Sequence, residues 1–564
     1  MAGDAPATVP EERQERDRDA GPARGGANDA GSVHDSHPPE PSAPRFSTAG
    51  GRRKEIDLVV AVVLFVLALV ARHRSLPHDG LIFDDAWVAI GAMNASVGEL
   101  LTVGLHHPGF TALLMGWARL MPPQVEWMAL PAYVGGSAIA PVFYLVARRL
   151  GTSRPASLLV AALLVTAPAH VYYSGRVKTY VIDGTIILIL AAVLPLLARR
   201  RWDWPTVALW VGASVLVGTF SVFMLLAVSA ATALLALHPE GDRSRRWAAL
   251  GLQALVQLAY FATLRASFDS AGVASHLERE YDAYIEPTAD VGSMVRQFAT
   301  HGSRLGDAIV QSDRPLAVGI ALLALAGLAW EGWRGSRFLV ARFLLVLPAI
   351  AFAGSLVRQI PFGPTWGNPV FPGIRATLWL LPSLAIGLAF ALELVAALVR
   401  RALPSSAPAL SIGLVVAAGV VLGGKLDDGL LYLDSGAPSA RRFVEERAGD
   451  GDLIVVLSSA AWHYAAQPGV RVDIQPAPDT EIGFLPRLVD PRMWVQTPTW
   501  NGSTEQLQER LVGARRVFVL DGIAGSGAQI VTKFDRALAS LGYRQRPGSA
   551  ASIFRVFVWE RTSD

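Results

Sequence analysis

The residues able to do chemistry gather in four short polar stretches of an otherwise apolar chain. The first is Ile82-Phe83-Asp84-Asp85-Ala86-Trp87. Adjacent carboxylates beside aromatic and apolar neighbours at a membrane are costly unless wet, paired or at work. The plain alternative is a solvated pair capping the amphipathic segment AWVAIGAMN, because Asp is a favoured N-cap. The second stretch is His106-His107-Pro108, where a proline opens an apolar run. One imidazole there is suited to donating to a phosphate or to joining a carboxylate on a metal. Two adjacent histidines cannot easily ligate one metal, so one is expected to point inward.

The third stretch runs from Tyr172 to Asp183, reading YYSGRVKTYVID. Tyr172, Tyr173 and Tyr180 suit an interfacial aromatic belt, and Arg176 and Lys178 suit head-group or phosphate contact. Asp183 enters an apolar run at its end, where an ionised carboxylate needs a partner or a cavity. It reads as a divalent-metal ligand or as the partner of a cation, with His106 and Tyr180 in its vicinity. The fourth is RQIPFGPTWGNPVFPGIR, 358–375. Its Pro and Gly content marks an irregular lid or binding loop. Arg375 closes it at the mouth of a long apolar run, as a phosphate clamp or a snorkelling arginine would.

Membrane helices must position these stretches. The 564 residues are 52% hydrophobic and only 17% charged, with mean hydropathy +0.36. Soluble domains carry more charge, roughly a quarter of their residues. The formal net charge of +3 gives no reason to expect nucleic acid as a partner. There is no cysteine, which excludes disulfides, thiolate metal sites and cysteine nucleophiles.

Residues 1–50 are rich in Ala, Gly, Pro, Ser and charge and read as a disordered tail. They lack the apolar core and cleavage site of a signal peptide. Apolar runs follow at 56–71, 127–147, 156–172, 182–198, 205–219, 220–237, 247–264, 315–333, 338–356, 375–399 and 408–424, which makes eleven candidate spans. The run 205–237 is too long for one span and is split near Gly218-Thr219.

Arginine placement sets the sidedness. With Arg52-Arg53-Lys54 cytoplasmic, alternation makes five further connections cytoplasmic. They hold Arg148, Arg149 and Arg154; Arg199, Arg200 and Arg201; Arg243, Arg245 and Arg246; Arg334 and Arg337; and Arg400 and Arg401. This agreement requires 108–121 to lie along the outer surface as an interfacial helix. The loops 72–126, 265–314 and 357–374, and a C-terminal domain from 434, then fall outside. The expected fold is a polytopic α-helical membrane domain over 51–433, with interfacial helices in a long first outer loop. A small extracytoplasmic α/β domain over 434–564 completes it. In that domain 452–459 and 515–520 read as buried strands, 527–543 as a helix, and SIFRVFVWE as a terminal strand. No P-loop or GxGxxG is present.

Over roughly 55–400 the chain resembles the glycosyltransferase C superfamily, near the bacterial protein O-mannosyltransferases and aminoarabinose transferases. The likeness rests on the acidic pair after the first span, the His-Pro entering an interfacial helix, PAHVYYSGRVKTYVID, and an arginine opening IRATLWLLPSLAIGLAF. It implies transfer of a sugar from a polyprenyl-phosphate donor to a cell-envelope glycan, lipid or protein acceptor on the outer face, usually with inversion. Carried over, Asp84 is the catalytic base, and Asp85 stands where the family usually has Glu. Asp183 matches a second acidic position that binds a divalent metal in some relatives.

The chemistry agrees with that resemblance. An attacking sugar hydroxyl needs a carboxylate within hydrogen-bond reach. The phosphate leaving group needs cations, for which Arg176, Lys178, Arg375 and His107 are candidates. A lipid-linked donor accounts for the missing nucleotide loop. The rival is a transporter or lipid flippase with an outer binding domain, which calls for ionisable residues in mid-span.

Overall fold

The computed structural model describes residues 51–564 except 79, 105–106, 122–124, 240, 268–289, 311–313, 335–336, 358–359, 361, 363–376, 426–435, 457–471, 477–483, 489–492, 496–503, 523–526, 552–553 and 563–564. The predicted tail 1–50 therefore lies outside the described residues. Residues from Arg53 onward form one compact unit.

The first helix, α1 (Gly51–Arg72), turns Leu58, Val59, Val62, Val63, Val66 and Val70 outward and Ala61, Leu64, Ala68 and Ala71 inward. A lipid-type face thus backs a seam of mostly small residues that lets neighbours approach closely. Four shorter helices follow, α2 (Phe83–Asn94), α3 (Leu100–Val103), α4 (Pro108–Leu120) and α5 (Val125–Met128). The predicted interfacial segment is α4, which starts on its proline and buries Phe110, Leu114 and Met115.

The bundle continues with α6 (Leu130–Ser137), α7 (Ile139–Arg149), α8 (Arg154–Thr166), α9 (Pro168–Ser174) and α10 (Tyr180–Arg199). Helices α8 and α9 meet at a bend of 54°. Pro168 accounts for it, because it has no N–H to continue the helix and its ring crowds the preceding turn. Beyond lie α11 (Trp204–Gly218), α12 (Val222–Leu237), α13 (Arg243–Ser267) and the amphipathic α14 (Val291–Val310). The set closes with α15 (Arg314–Arg334), α16 (Phe338–Leu356), α17 (Leu381–Ala402) and α18 (Ala407–Lys425). Helices α15 and α17 cross backbone to backbone at Gly327 and Gly387, where a Cβ on either would overlap the other helix.

Each of the eleven apolar runs carries helix, with breaks that include Ala129 and Ala138 in 127–147, Ala167 in 156–172 and the start of 220–237. Among the described residues six segments are long and apolar enough to cross a membrane, or seven if the bent pair α8–α9 is one span. Helices α11 and α12 are shorter, at 15 and 16 residues. The split of 205–237 falls at Thr219–Ser221, next to the expected Gly218-Thr219.

Contacts gather the arginine-bearing turns at one end of the bundle. Asp57 of α1 pairs with Arg148 and Arg154, Arg337 reaches the carbonyl of Gly151, and Ser153 N–H donates to Glu393. Arg245 and Arg246 close onto the carbonyls of Trp202 and Ala198 in the same manner.

The C-terminal region opens with α19 (Ala437–Glu445) and builds a mixed sheet of order β4-β1-β5-β7-β6. Its strands are β1 (Leu453–Val456), β4 (Met493–Val495), β5 (Arg516–Gly522), β6 (Tyr543–Ala551) and β7 (Phe554–Arg561). Strand β1 is parallel to β4 and β5, whereas β7 is antiparallel to β5 and β6. A separate antiparallel pair, β2 (Val472–Pro476) and β3 (Phe484–Leu488), lies between β1 and β4 in sequence.

Alternation along β1 and β5 sends Ile454, Val456, Phe518 and Leu520 into the same apolar cluster as α2 and α4, and Leu453, Val455, Val517 and Val519 to the other face. That second face is covered by α20 (Thr504–Arg510) and α21 (Gly527–Ser540). The edge strand β6 carries Pro547 and a register shift between Arg546 and Ser549.

Candidate active site

The carboxylate pair sits in the first turn of α2. Its N-cap is Ile82, so the plain reading of Asp84 or Asp85 as the cap is overturned. Both fall within the first turn, as its second and third helical residues, where the positive end of the helix dipole favours negative charge. The Asp84 side chain lies outside the described residues.

Asp85 is fully buried and engaged on both oxygens. Arg176 Nε donates to Oδ2 at 2.5 Å, and the Val177 N–H donates to Oδ1 at 3.2 Å. Arg176 is itself buried, and its Nη1 donates to the Tyr172 hydroxyl at 3.2 Å. One residue on, the Lys178 ammonium stands 4.2 Å from the centre of the Trp87 ring, a cation–π contact in a dry setting.

The segment that delivers these groups is short and tightly made. It leaves α9 at Gly175 and closes a three-residue turn through Lys178 N–H to Arg176 C=O at 2.8 Å. Gly175 is required by space, because a Cβ there would overlap the Ser75 carbonyl. Tyr180 opens α10 and meets Tyr173 edge-on, with ring centres 5.7 Å apart.

A second polar centre lies one turn into α10. Asp183 is fully buried; Ser221 donates to its Oδ2 at 2.8 Å, and the Thr179 hydroxyl is its other neighbour. The turn that carries Ser221 also receives α4, whose Gly109 N–H donates to Thr219 C=O at 2.9 Å. His107, half-buried in the N-cap position of α4, lies two residues before that contact.

No protein-family model matches the sequence, and no curated protein matches it. Among solved structures, apo ArnT from Cupriavidus metallidurans superposes with a TM-score of 0.52 at 13% identity, over 90% of this chain and 98% of that one. ArnT is an aminoarabinose transferase of the glycosyltransferase C class. The chain has a glycosyltransferase C fold. An oligosaccharyltransferase from Archaeoglobus fulgidus, crystallised with zinc and sulfate, aligns at a TM-score of 0.41 and 12% identity, over 82% of this chain and 67% of that one. At that score it carries no argument.

Within this fold the structure brings together Asp85, Arg176 and Lys178, and separately Asp183 with Ser221 and Thr179. His106 and Arg375 lie outside the described residues. Sequence reading missed Ser221, whose only signal was a polar residue inside a long apolar run. It also missed the pairing of Arg176 with Asp85, which joins positions 91 residues apart.

A metal at Asp183 would need companions. Among the described residues no three His, Asp or Glu side chains are grouped to hold one, and the described neighbours of Asp183 are hydroxyls. The described residues around Asp183 thus supply hydroxyls rather than a ligand set, and no step is routed through a metal.

Proposed function

We propose that this protein transfers a sugar from a polyprenyl-phosphate donor to an acceptor hydroxyl on the outer face of the membrane, with Asp84 as general base. The observation that carries the assignment is the full engagement of Asp85. With both its oxygens held by Arg176 and Val177, Asp85 orients the first turn of α2, and proton removal falls to its neighbour.

In the step itself, Asp84 takes the acceptor hydroxyl proton as that oxygen bonds to the anomeric carbon. The carbon–oxygen bond to phosphate breaks with inversion, releasing polyprenyl phosphate. The leaving group is already anionic and needs no general acid. It needs positive charge, for which Lys178, Arg176, Arg375 and His107 are the candidates. A glycosyltransferase C fold and a dry cationic turn beside the carboxylate pair both support this reading.

The topology that goes with it has eleven spans, a cytoplasmic N-terminus and a transferase domain over 51–433. The domain over 434–564 then stands outside. Reporter fusions after 120, 300 and 440 test it; cytoplasmic signals there overturn the arrangement. The transporter or flippase alternative has less support, since Asp183 and Arg72 stand at helix ends rather than in mid-span.

The decisive experiment is Asp84→Asn in membranes containing equal amounts of each protein. We expect transfer from the native polyprenyl-phosphate sugar to fall by about 10² to 10⁴-fold. Unchanged transfer removes Asp84 from the role.

A further inference from the structure

The bend between α8 and α9 is held by one guanidinium. Arg72, the last residue of α1, has no solvent exposure. Its Nη2 donates to the Leu164 carbonyl at 3.0 Å and its Nη1 to the Val165 carbonyl at 2.9 Å. These are the acceptors that the break strands. Leu164 lies four residues before Pro168, which has no N–H to offer it.

The same group grips the far side of the bend. Nε donates to Ser174 Oγ at 3.1 Å, and Nη2 meets His170 Nδ1 at 3.1 Å. An arginine cannot accept, so His170 Nδ1 is the acceptor and its ring proton sits on Nε2. The remaining Nη1 donor reaches the Ala68 carbonyl at 3.2 Å, within α1 itself. All five N–H groups of the fork are thereby used. The charge meets the converging carbonyl ends of α1 and α8, which carry partial negative charge.

What this clamp fixes is the direction in which α9 leaves. Ser174 and His170 are one turn apart on α9, and Ser174 also donates to the His170 carbonyl at 2.6 Å. Gly175, Arg176 and Val177 come next, and the last two hold Asp85. Ser75, three residues beyond Arg72, donates to the Arg72 carbonyl at 2.7 Å and presses its own carbonyl on Gly175. The bend and the carboxylate pair are therefore two ends of one hydrogen-bonded path.

We infer that Arg72 is a positioning residue for sugar transfer: it locks the α8–α9 bend and so sets where the Arg176–Val177 turn holds Asp85 and the first turn of α2. Its role in transfer rests on the reading given above, whereas the lock does not. Lysine keeps the charge but offers a compact ammonium in place of a planar fork, and so cannot span both sides of the bend.

The test uses the full chain in lipid nanodiscs, where the natural lack of cysteine makes single thiol reporters clean. Val171→Cys reports on α9 and Val519→Cys on the sheet; both positions are buried. In Arg72→Lys and Arg72→Met backgrounds we expect maleimide labelling at 171 to rise about tenfold or more, with 519 still protected. Continued protection at 171 in both variants overturns the lock. Labelling at 519 as well marks general unfolding and counts against a local clamp.

Transfer is measured in parallel, without the reporters, using the native polyprenyl-phosphate sugar. We expect kcat to fall by about a hundredfold for Arg72→Lys while the donor KM stays within about twofold, the mark of lost geometry rather than lost binding. Wild-type kcat beside a loosened α9 overturns the positioning role. If the wild type itself transfers no sugar, the functional reading fails, and the thiol result still decides the lock.

Discussion

Two aspartates flank the first helix, and each is paired with arginine far along the chain, yet the pairs are built for opposite surroundings. Asp57, near the start of α1, accepts from Tyr144 and from Arg154 Nε, each at 2.9 Å, with Arg148 3.5 Å away. Its side chain is 17% exposed and those of the two arginines 24% and 37%. Asp85, beyond the other end of α1, is wholly enclosed, and its ion pair among the described residues is with Arg176, which is 5% exposed. At Asp57 water shares the work, and three partners can replace one another. At Asp85 every oxygen and every donor has to be placed by the fold. A wet pair buttresses a junction; a dry pair fixes a geometry.

Breaking each pair separates these roles. The largest effect belongs to Arg176→Met, which leaves the Asp85 carboxylate buried without its cation. We expect a loss of about 3–5 kcal/mol in local stability and no measurable transfer, read by thermal melting in nanodiscs and by the transfer assay. The double variant Arg176→Met with Asp85→Leu should recover much of the stability and none of the activity. Recovery of both would make the pair purely structural.

Asp57→Asn comes next and should cost less than about 1 kcal/mol, because exposed ion pairs are screened and Tyr144 keeps a partner. Transfer should be unchanged. A loss as large as that of Arg176→Met would erase the distinction drawn between the two pairs.

The smallest effect tests burial without the pairing. Asp535, on α21 in the C-terminal region, is partly buried, and that burial raises its carboxyl above the ordinary range. A folded acid with a raised pKa is a liability while ionised. Asp535→Asn should therefore stabilise the protein at neutral pH by no more than about 0.5 kcal/mol after solvent screening. The gain should shrink as pH falls through the raised folded value and vanish below the unfolded value of about 4. Melting curves at pH 7 and at lower pH measure it, and a gain that grows with acid reverses the assignment.

Much of the fold was legible because apolar runs of membrane length leave the backbone little choice but helix. The strands at 453–456 and 516–520 and the terminal strand read out for a related reason, as short apolar runs between turn signals; 457–459 lie outside the described residues. Strand β6 did not read as a strand. Its sequence YRQRPGSAA holds Pro, Gly and three charges or amides with no apolar alternation. It is a strand because β7 offers it a ladder.

The site divides along the same line. Asp84-Asp85 and Asp183 stood out as charge where charge is expensive. Their partners did not, because Arg176 meets Asp85, and Ser221 meets Asp183, only through three-dimensional closure. Arg72 was hidden most completely. An arginine at the end of an apolar run looks like an interfacial anchor until Pro168 is seen to strand two carbonyls beside it.

The bulged outer strand of the C-terminal sheet has a bearing on crowding. Molecules held in a membrane share a plane, so the parts that stand clear of it meet far more often than the same number free in solution. A straight, unpaired strand facing that plane would be a template for stitching neighbours together. Strand β6 removes one donor at Pro547, breaks its register over the next two residues, and flanks the break with Arg544 and Arg546. A neighbouring chain finds no continuous row of amides to join.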